Sequence, residues 1–392
     1  MFSRPIVGHT PYRHLGEHVK NEDLLALPEE VRNQLRSFGF HEDKFLRWQS
    51  RIAKGSLSIQ SNIVSGIIEP PEGDAWEDCP SKSKEEKEEA RQIGCEAIEK
   101  GEVGAIILNG GMATRFGGQV KGIVEALPGQ SFLALKTRNI QSAARSCGGH
   151  VPIYLMNSFA TDEDTRNHLA EHANFGLADE DVTHFTQGIS LRMNKDGSIF
   201  LDEDEQPSCH GPGHGDVAEF FRTSGCLQSF LERGGKHLFI SNVDNLAARL
   251  DPVVVGAHLL SGKRMTAELA PKWEGDQGGA PALVDGEIWV IEGFRFPPDF
   301  EQDSIPVFNT NTFTIEAEAL DVEFALTPCY VEKTVGEHTV VQVETLLGEL
   351  TRLLPTHYLR VKRTGPASRF FPIKTPGDLE EGQEDLEAIC GM

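Results

Sequence analysis

The chain has 392 residues, 39% of them hydrophobic, and carries 60 acidic against 37 basic side chains, for a formal net charge of −23. That length and apolar content suffice for one large α/β domain with smaller attachments. The charge argues against nucleic acid and anionic membrane surfaces as partners, because both need clustered Lys and Arg, and no apolar run approaches the ~20 residues that span a membrane.

The N-terminus, Met1 to Leu15, is polar and lacks a signal core, which points to the cytoplasm. Residues 1–60 read as amphipathic helix. Leu24, Leu25, Leu27, Val31 and Leu35, then Phe40, Phe45, Leu46, Trp48 and Ile52, recur at three- and four-residue spacing. Residues 65–82 are rich in Pro, Glu and Asp and read as a connection. Residues 83–100 form a helix with Glu/Lys pairs and a stripe at Ala90, Ile93 and Ala97, leading to a strand at 104–108. Strands and helices then alternate. Ser131, Thr161 and Asp216 are candidate N-caps, the last for a helix carrying Val217, Phe220, Phe221, Leu227 and Phe230. Strands are predicted at 151–156, 182–187 and 237–241. This alternation predicts a mainly parallel, helix-covered sheet with ligands at the strand carboxyl ends. The later part is more β-rich, with turn signals at 194–197 and at Val284-Asp285-Gly286-Glu287.

The seven cysteines include no Cys-x-x-Cys pair and are odd in number, so reduced thiols are expected rather than a disulfide framework. Cys209, His210 and His214 stand close enough to make a zinc site conceivable. No second Cys/His pair lies at a suitable spacing.

Residues 105–122 carry the most information. An apolar strand enters a loop with glycines at 110, 111, 117 and 118, one arginine (Arg115) and a closing lysine (Lys121). Glycines let the backbone approach a ligand, and consecutive free N–H groups form an anion-binding concavity. A P-loop would need Gly-Lys followed by Ser or Thr. A dinucleotide loop would need Gly-x-Gly-x-x-Gly opening directly into a helix. Neither fits, so the loop reads as a phosphate cradle of another kind, in a protein that handles a nucleotide.

With those residues in place the chain resembles the UDP-glucose pyrophosphorylase family, including its relatives acting on UDP-N-acetylhexosamines and on a broad range of UDP-sugars. Leu108-Asn-Gly-Gly-Met-Ala-Thr-Arg115 resembles the family's Leu-x-Gly-Gly-x-Gly-Thr loop. Val151 to Thr165 is similar to its second strand and loop, and Phe185-Thr-Gln187 to its uracil-reading strand. Pro212-Gly-His-Gly-Asp216 matches Pro-Pro-Gly-His-Gly with Gly211 in place of the first proline. Ser241-Asn-Val-Asp-Asn245 matches the metal motif. Phe308-Asn-Thr-Asn311 and Arg369-Phe-Phe-Pro-Ile-Lys374 complete the set. Ala113 replaces a usual glycine. Val124 stands where glucose-specific members often carry a second lysine, so Lys121-Gly122 is closer to the hexosamine and broad-range branch. The family's long β-helical tail has no counterpart after Lys374.

The resemblance implies a Rossmann-like nucleotidyltransferase of type A: a helical segment at 1–82, a catalytic domain at 83–379 that includes a β-rich sugar-binding part, and a short tail at 380–392. It implies transfer of uridylyl from UTP to a sugar 1-phosphate, most simply glucose 1-phosphate, with a UDP-N-acetylhexosamine or broad-range UDP-sugar pyrophosphorylase as the alternative. A non-catalytic nucleotide-sugar binding protein and a Rossmann oxidoreductase are the readings from other classes. Arg115, Lys121 and Lys374 are expected at the transferring phosphates. Leu108, Gly110, Gly111, Met156, Gln187, Gly213 and His214 are expected around the nucleotide, and Asp244 on Mg2+, a hard cation suited to carboxylate and phosphate oxygens. Asn242, Gly279, Glu292 and either Asn309 or Asn311 are expected at the sugar. The partners are then the two small-molecule substrates, in a monomer or small homo-oligomer.

Overall fold

The computed structural model describes Leu24 and residues 27–79, 83–276 and 278–391; Met1 to Leu15 and Leu25 lie outside the described residues. α1 (Glu29–Ser37) and α2 (Glu42–Ala53) come first and bury the apolar series along one face, with Val31, Leu35, Phe45, Trp48 and Ile52 inside. They pack on Ile189, Leu191, Tyr330, Val341 and Val343. The segment after them is more than a connection. Ile68 and Glu69 pair with Val284 and Leu283, and β1 (Glu77–Asp78) adds an edge strand to the main sheet. Two-residue strands are too short to leave a periodic signal.

α3 (Lys84–Glu99) starts on Ser83, whose hydroxyl accepts from Glu86 N. It leads into β2 (Val103–Leu108), every residue of which is buried. α4 (Phe132–Ser146) is capped by Ser131. β3 (Ile153–Asn157), α5 (Asp162–Glu171), β4 (Val182–Thr186), α6 (Val217–Thr223), α7 (Cys226–Glu232), β5 (His237–Asn242) and α8 (Pro252–Ser261) follow. Then come β6 (Met265–Pro271), the hairpin β7 (Ala280–Val284) and β8 (Glu287–Ile291), β9 (Val307–Glu316), the hairpin β10 (Cys329–Val335) and β11 (His338–Glu344), β12 (Thr356–Arg360) and a last helix, α9 (Gln383–Cys390).

Eight strands form the central sheet in the order β1-β12-β6-β9-β5-β2-β3-β4. All run parallel except β9, which is antiparallel to both neighbours. Buried on both faces, β2 and β3 read as continuous apolar runs. Val103, Ala105 and Ile107 of β2 face a core with α3, α4, α8 and Leu386 of α9. Ile106 and Leu108 face the other, with Phe221, Phe230 and the β7–β8 hairpin. Asp285 and Gly286 take the predicted turn with φ of 49° and 90°. Among the described residues no helix is long and apolar enough to cross a membrane.

Three expectations are corrected. The helix after Asp216 is two short helices, broken at Ser224-Gly225, where Gly225 has φ 82°. Asp216 and Thr161 occupy N-cap positions without capping. Thr161 Oγ1 accepts from Ser158 N at 2.8 Å and donates to Asn109 O at 3.1 Å, while Asp216 is buried. The thiols are not all reduced: Cys95 of α3 and Cys147 at the end of α4 form a disulfide across 52 residues of sequence, a tertiary proximity that spacing does not reveal.

α3 and α8 cross in backbone contact. A Cβ on Gly94 would stand 1.9 Å from Pro252 O, and one on Gly256 would stand 1.8 Å from Ala90 O. Gly256→Ala would gain helix propensity but force the helices apart, and overpacking of this kind costs about 1–3 kcal/mol. We expect its urea midpoint to fall with an unchanged slope; an unchanged midpoint would show that the crossing tolerates a methyl group.

Candidate functional site

β2, β3, β4 and β5 all end on the same side, and a hydrogen-bond hub fastens the loops that follow. Asn109 is fully buried. Its Nδ2 donates to Asn157 Oδ1 and Thr165 Oγ1, both at 2.9 Å, and its N–H donates to Met156 O at 2.8 Å. Asn157 passes the link to Asp162 Oδ1 at 2.8 Å and meets His184 Nδ1 at 3.1 Å. Buried amides of this kind rigidify a site when their bonds are made.

The glycine loop is a small hairpin on this base. Met112 and Ala113 pair with Val120 and Gln119, and Lys121 N donates to Gly111 O at 3.2 Å. Gly117 and Gly118 turn the chain with φ of 80° and 79°. Arg115 therefore rides at the exposed tip, outside the cavities, whereas Lys121 returns to the strand ends and is buried. The Lys121 ammonium lies 4.3 Å from the Phe116 ring centroid and 5.2 Å from that of Phe132. Burial lowers its pKa, and Asp244 opposes that shift.

Two cavities open from this junction. The first, about 470 Å3, is lined by Leu108, Gly110, Gly111, Lys121, Met156, Gln187, Gly213 and His214 among others, so it gathers every residue expected at the nucleotide. Gln187 is wedged between two glycines. A Cβ on Gly110 would stand 2.9 Å from its Nε2, and one on Gly211 would stand 2.0 Å from it. Gly211, the departure from the family motif, is what this side-chain position requires. Gly213 has φ 96°, and a Cβ there would meet Thr345 O at 2.4 Å. Leu347 N donates to His214 Nδ1 at 3.0 Å, which fixes the Nε2–H tautomer. Burial pushes the His214 pKa down to about 4, so the ring is a neutral donor at pH 7.

The sequence reading missed the far wall, made by Arg192, Gln342 and Glu344. Arg192 Nη1 donates to Ser208 Oγ at 3.0 Å. With its amide oriented to satisfy both neighbours, Gln342 accepts from Arg192 at 2.7 and 3.0 Å and donates to Glu344 at 3.1 Å. Cys209, His210 and His214 are engaged separately: the thiol donates to Pro207 O, His210 donates from Nδ1 to Gly211 O, and His214 takes the Leu347 N–H.

The second cavity, about 850 Å3, shares Asn242 and Asp244 with the first and adds Asn309, Asn311 and Lys374. Both candidate asparagines thus line it. Asn311 sits in an irregularity of β9 with φ 55°, a conformation asparagine tolerates. Its Nδ2 donates to Asn242 Oδ1 at 2.9 Å, and its N–H donates to Asn309 Oδ1 at 3.1 Å. Gly279 and Glu292 stand behind Asn309 rather than in the cavity wall. Asn309 N donates to Gly279 O at 2.7 Å, and a Cβ on Gly279 would stand 3.1 Å from the Glu292 carboxyl. Burial raises the Glu292 pKa. The opposite wall is a stack in which the Arg363 guanidinium, paired with Asp276, lies 3.7 Å from the Trp273 ring centroid.

Asp244 is the carboxylate common to both cavities. Burial raises its pKa, and Lys121, Lys136 and Lys374 pull it back. Lys374 is exposed at the cavity mouth. Lys136 was not foreseen. It is fully buried in α4, with Nζ donating to Ser241 Oγ at 3.0 Å and Ala248 O at 2.7 Å, across both ends of the loop that carries Asp244. Burial pushes its pKa down to about 7, and Asp244 opposes that shift.

Comparison with known proteins gives the family from sequence and the fold from structure. The family model described as UTP–glucose-1-phosphate uridylyltransferase matches residues 43–386. The UTP–glucose-1-phosphate uridylyltransferase of Saccharomyces cerevisiae is 30% identical over 71% of this chain and 58% of its own length; that of Solanum tuberosum is 30% identical over 72% and 61%. The chain therefore spans about three fifths of the length of these relatives. Among solved structures, a UDP-glucose phosphorylase from Trypanosoma brucei aligns with TM-score 0.69 and 23% identity, covering 88% of this chain and 76% of that one. A uridine diphosphate N-acetylglucosamine pyrophosphorylase from the same organism aligns with TM-score 0.70 and 20% identity, covering 86% and 74%.

The Lys136 clamp has a measurable consequence. Lys136→Met keeps the bulk and removes both bonds, while also relieving the burial of an ammonium. Because Asp244 also loses one of the cations that offset its burial, global stability should fall, and the amides of residues 242–248 should exchange about tenfold faster or more, equivalent to about 1.4 kcal/mol of lost local protection. Unchanged exchange in a folded variant would mean that the loop is held by its other contacts.

Proposed function

The chain belongs to the UTP–glucose-1-phosphate uridylyltransferase family, and from that premise we propose that it transfers the uridylyl group of UTP to a sugar 1-phosphate, preferably glucose 1-phosphate. The observation that carries this reading is the meeting of two cavities at Asn242 and Asp244, with Lys121 on one side and Lys374 on the other. UTP occupies the smaller cavity and the sugar phosphate the larger. An oxygen of the sugar phosphate attacks the α-phosphorus, the bond to the bridging oxygen breaks, and pyrophosphate leaves. The nucleophile is already ionised at pH 7, so the protein contributes position and charge rather than a general base.

Gln187 reads uracil through an amide that donates and accepts at once, next to the backbone at Gly110 and Gly213. His214 offers its Nε2–H. Lys121 and Lys374 neutralise phosphate charge from opposite sides. Arg115, at the hairpin tip, reaches the leaving pyrophosphate only if the hairpin folds over the bound nucleotide. Asn242, Asn309 and Asn311 take sugar hydroxyls, with Gly279 and Glu292 supporting Asn309.

The donor set suits magnesium. Asn245 is committed, its Oδ1 accepting from Phe371 N at 2.9 Å and its Nδ2 donating to Arg369 O at 3.3 Å. The protein ligand is then Asp244, and water and phosphate oxygens complete the shell, as Mg2+ prefers. Bound there, the ion would neutralise charge developing on the phosphates.

Pyrophosphate release measured with UTP or ATP and a panel of sugar 1-phosphates tests the assignment. UTP should exceed ATP widely, because a site built for hydrogen bonds rejects a base that leaves them unmade. Glucose 1-phosphate should lead, galactose 1-phosphate follow and N-acetylglucosamine 1-phosphate trail. A higher kcat/KM for N-acetylglucosamine 1-phosphate would move the chain to the hexosamine branch, and no turnover with any acceptor would leave only a binding protein. Lys121→Ala should lower kcat by roughly 10²-fold or more, the cost of losing one preorganised donor. Asp244→Asn should raise the magnesium requirement, and an unchanged requirement would place the ion elsewhere.

A further inference from the structure

The last turn of α5 and its cap residue carry chemistry that nucleotidyl transfer does not use. His168, Glu171 and His172 stand at i, i+3 and i+4, on one face of the helix. One ligating atom from each lies within 4.8 Å of the other two. The two imidazole centroids are 4.4 Å apart.

Each ring is held by one nitrogen and keeps the other. His172 Nδ1–H donates to His168 O at 2.8 Å, which leaves the Nε2 lone pair. His168 Nε2 lies 2.9 Å from Ser131 Oγ, which already accepts the Ala134 N–H. The tautomer in which Nε2–H donates to that hydroxyl leaves the His168 lone pair on Nδ1 for a ligand. A second partner that fixes tautomer and orientation is the usual companion of a metal-binding histidine.

The backbone that follows closes one side of the cluster. Ala173, Asn174 and Phe175 have φ of 49°, 50° and 53°. This left-handed turn folds the Phe175 ring to 5.6 Å from both imidazoles. Three consecutive non-glycine residues in that region are costly and persist only when their surroundings hold them.

We propose that His168, Glu171 and His172 form a binding site for a borderline divalent transition-metal ion, zinc or nickel, separate from the Asp244 junction. Two imidazoles and one carboxylate are the donors such ions take, and three protein ligands leave a position for water. Ligand atoms in a tetrahedral zinc shell lie roughly 3.4 Å apart for bonds of about 2.1 Å. Glu171 and His172 are exposed and can close that gap by side-chain rotation. Magnesium, which prefers an all-oxygen shell, should not compete.

Calorimetric titration of the full, tag-free chain with zinc, in the presence of excess magnesium, tests this. One equivalent should bind. His172→Ala, at an exposed position, should weaken binding by at least about tenfold, the size of effect produced by loss of even an outer-shell partner. Glu171→Gln should weaken it less. Cobalt bound in place of zinc should give visible bands without a thiolate charge-transfer band, which excludes the cysteines as ligands. The proposal is overturned if the chain takes up no zinc, if magnesium displaces it, if His172→Ala binds as the parent does, or if cobalt reports a thiolate. Because the readout is binding, it stands apart from whether the chain turns over UTP.

Discussion

A carboxylate taken out of water must be answered by positive charge, and in this chain the answer is built from far apart. Asp244 is compensated by Lys121 from the hairpin after β2, Lys136 from α4 and Lys374 from the segment after β12. In a protein of net charge −23 this concentration of cations is a local exception. Much of the fold can be read as the means of bringing those four positions together. Parallel strands bring the loops after β2 and β5 to one side of the sheet. Asn109 locks the first of those loops to β3 and α5, and Asn157 carries the link on to His184 of β4. The antiparallel β9 enters from the opposite direction, so that its irregular middle delivers Asn309 and Asn311 beside Asn242.

What was legible in the sequence was what local chemistry dictates. The glycine hairpin could be read because a backbone that turns and approaches a ligand needs glycine, and Lys121 could be read because it closes that loop. β2, β3 and β5 announced themselves as apolar runs, and Asp285-Gly286 as a turn. Ser131 caps α4 as expected. The residues expected at the nucleotide line one cavity.

What was not legible depends on partners distant in sequence. Lys136 sits in Phe-Leu-Ala-Leu-Lys-Thr-Arg, where helical spacing gives no sign that it points inward beneath Ser241 and Ala248. Asn109 looked like a polar loop residue. Arg192, Gln342 and Glu344 meet only once β11 lies across the smaller cavity. Asp216 carried a capping signal, but burial beside Gly188 won over the cap. Arg115 was chosen for its charge within the loop, and the hairpin carries that charge out to the tip.

The second cavity also fixes when the protein can become competent. Its floor is sewn by bonds spanning more than a hundred residues: Phe371 N to Asn245 Oδ1, and Arg369 to the buried Glu268. On the ribosome the contiguous strands β2 to β5 are complete once β5 has emerged, but β9, Lys374 and these stitches are not yet made. A nascent chain at that stage holds the glycine hairpin and Gln187 with no wall opposite them, and the buried Asp244 loop is open to solvent. Closure of the second cavity therefore waits for the segment that carries Arg369, Phe371 and Lys374.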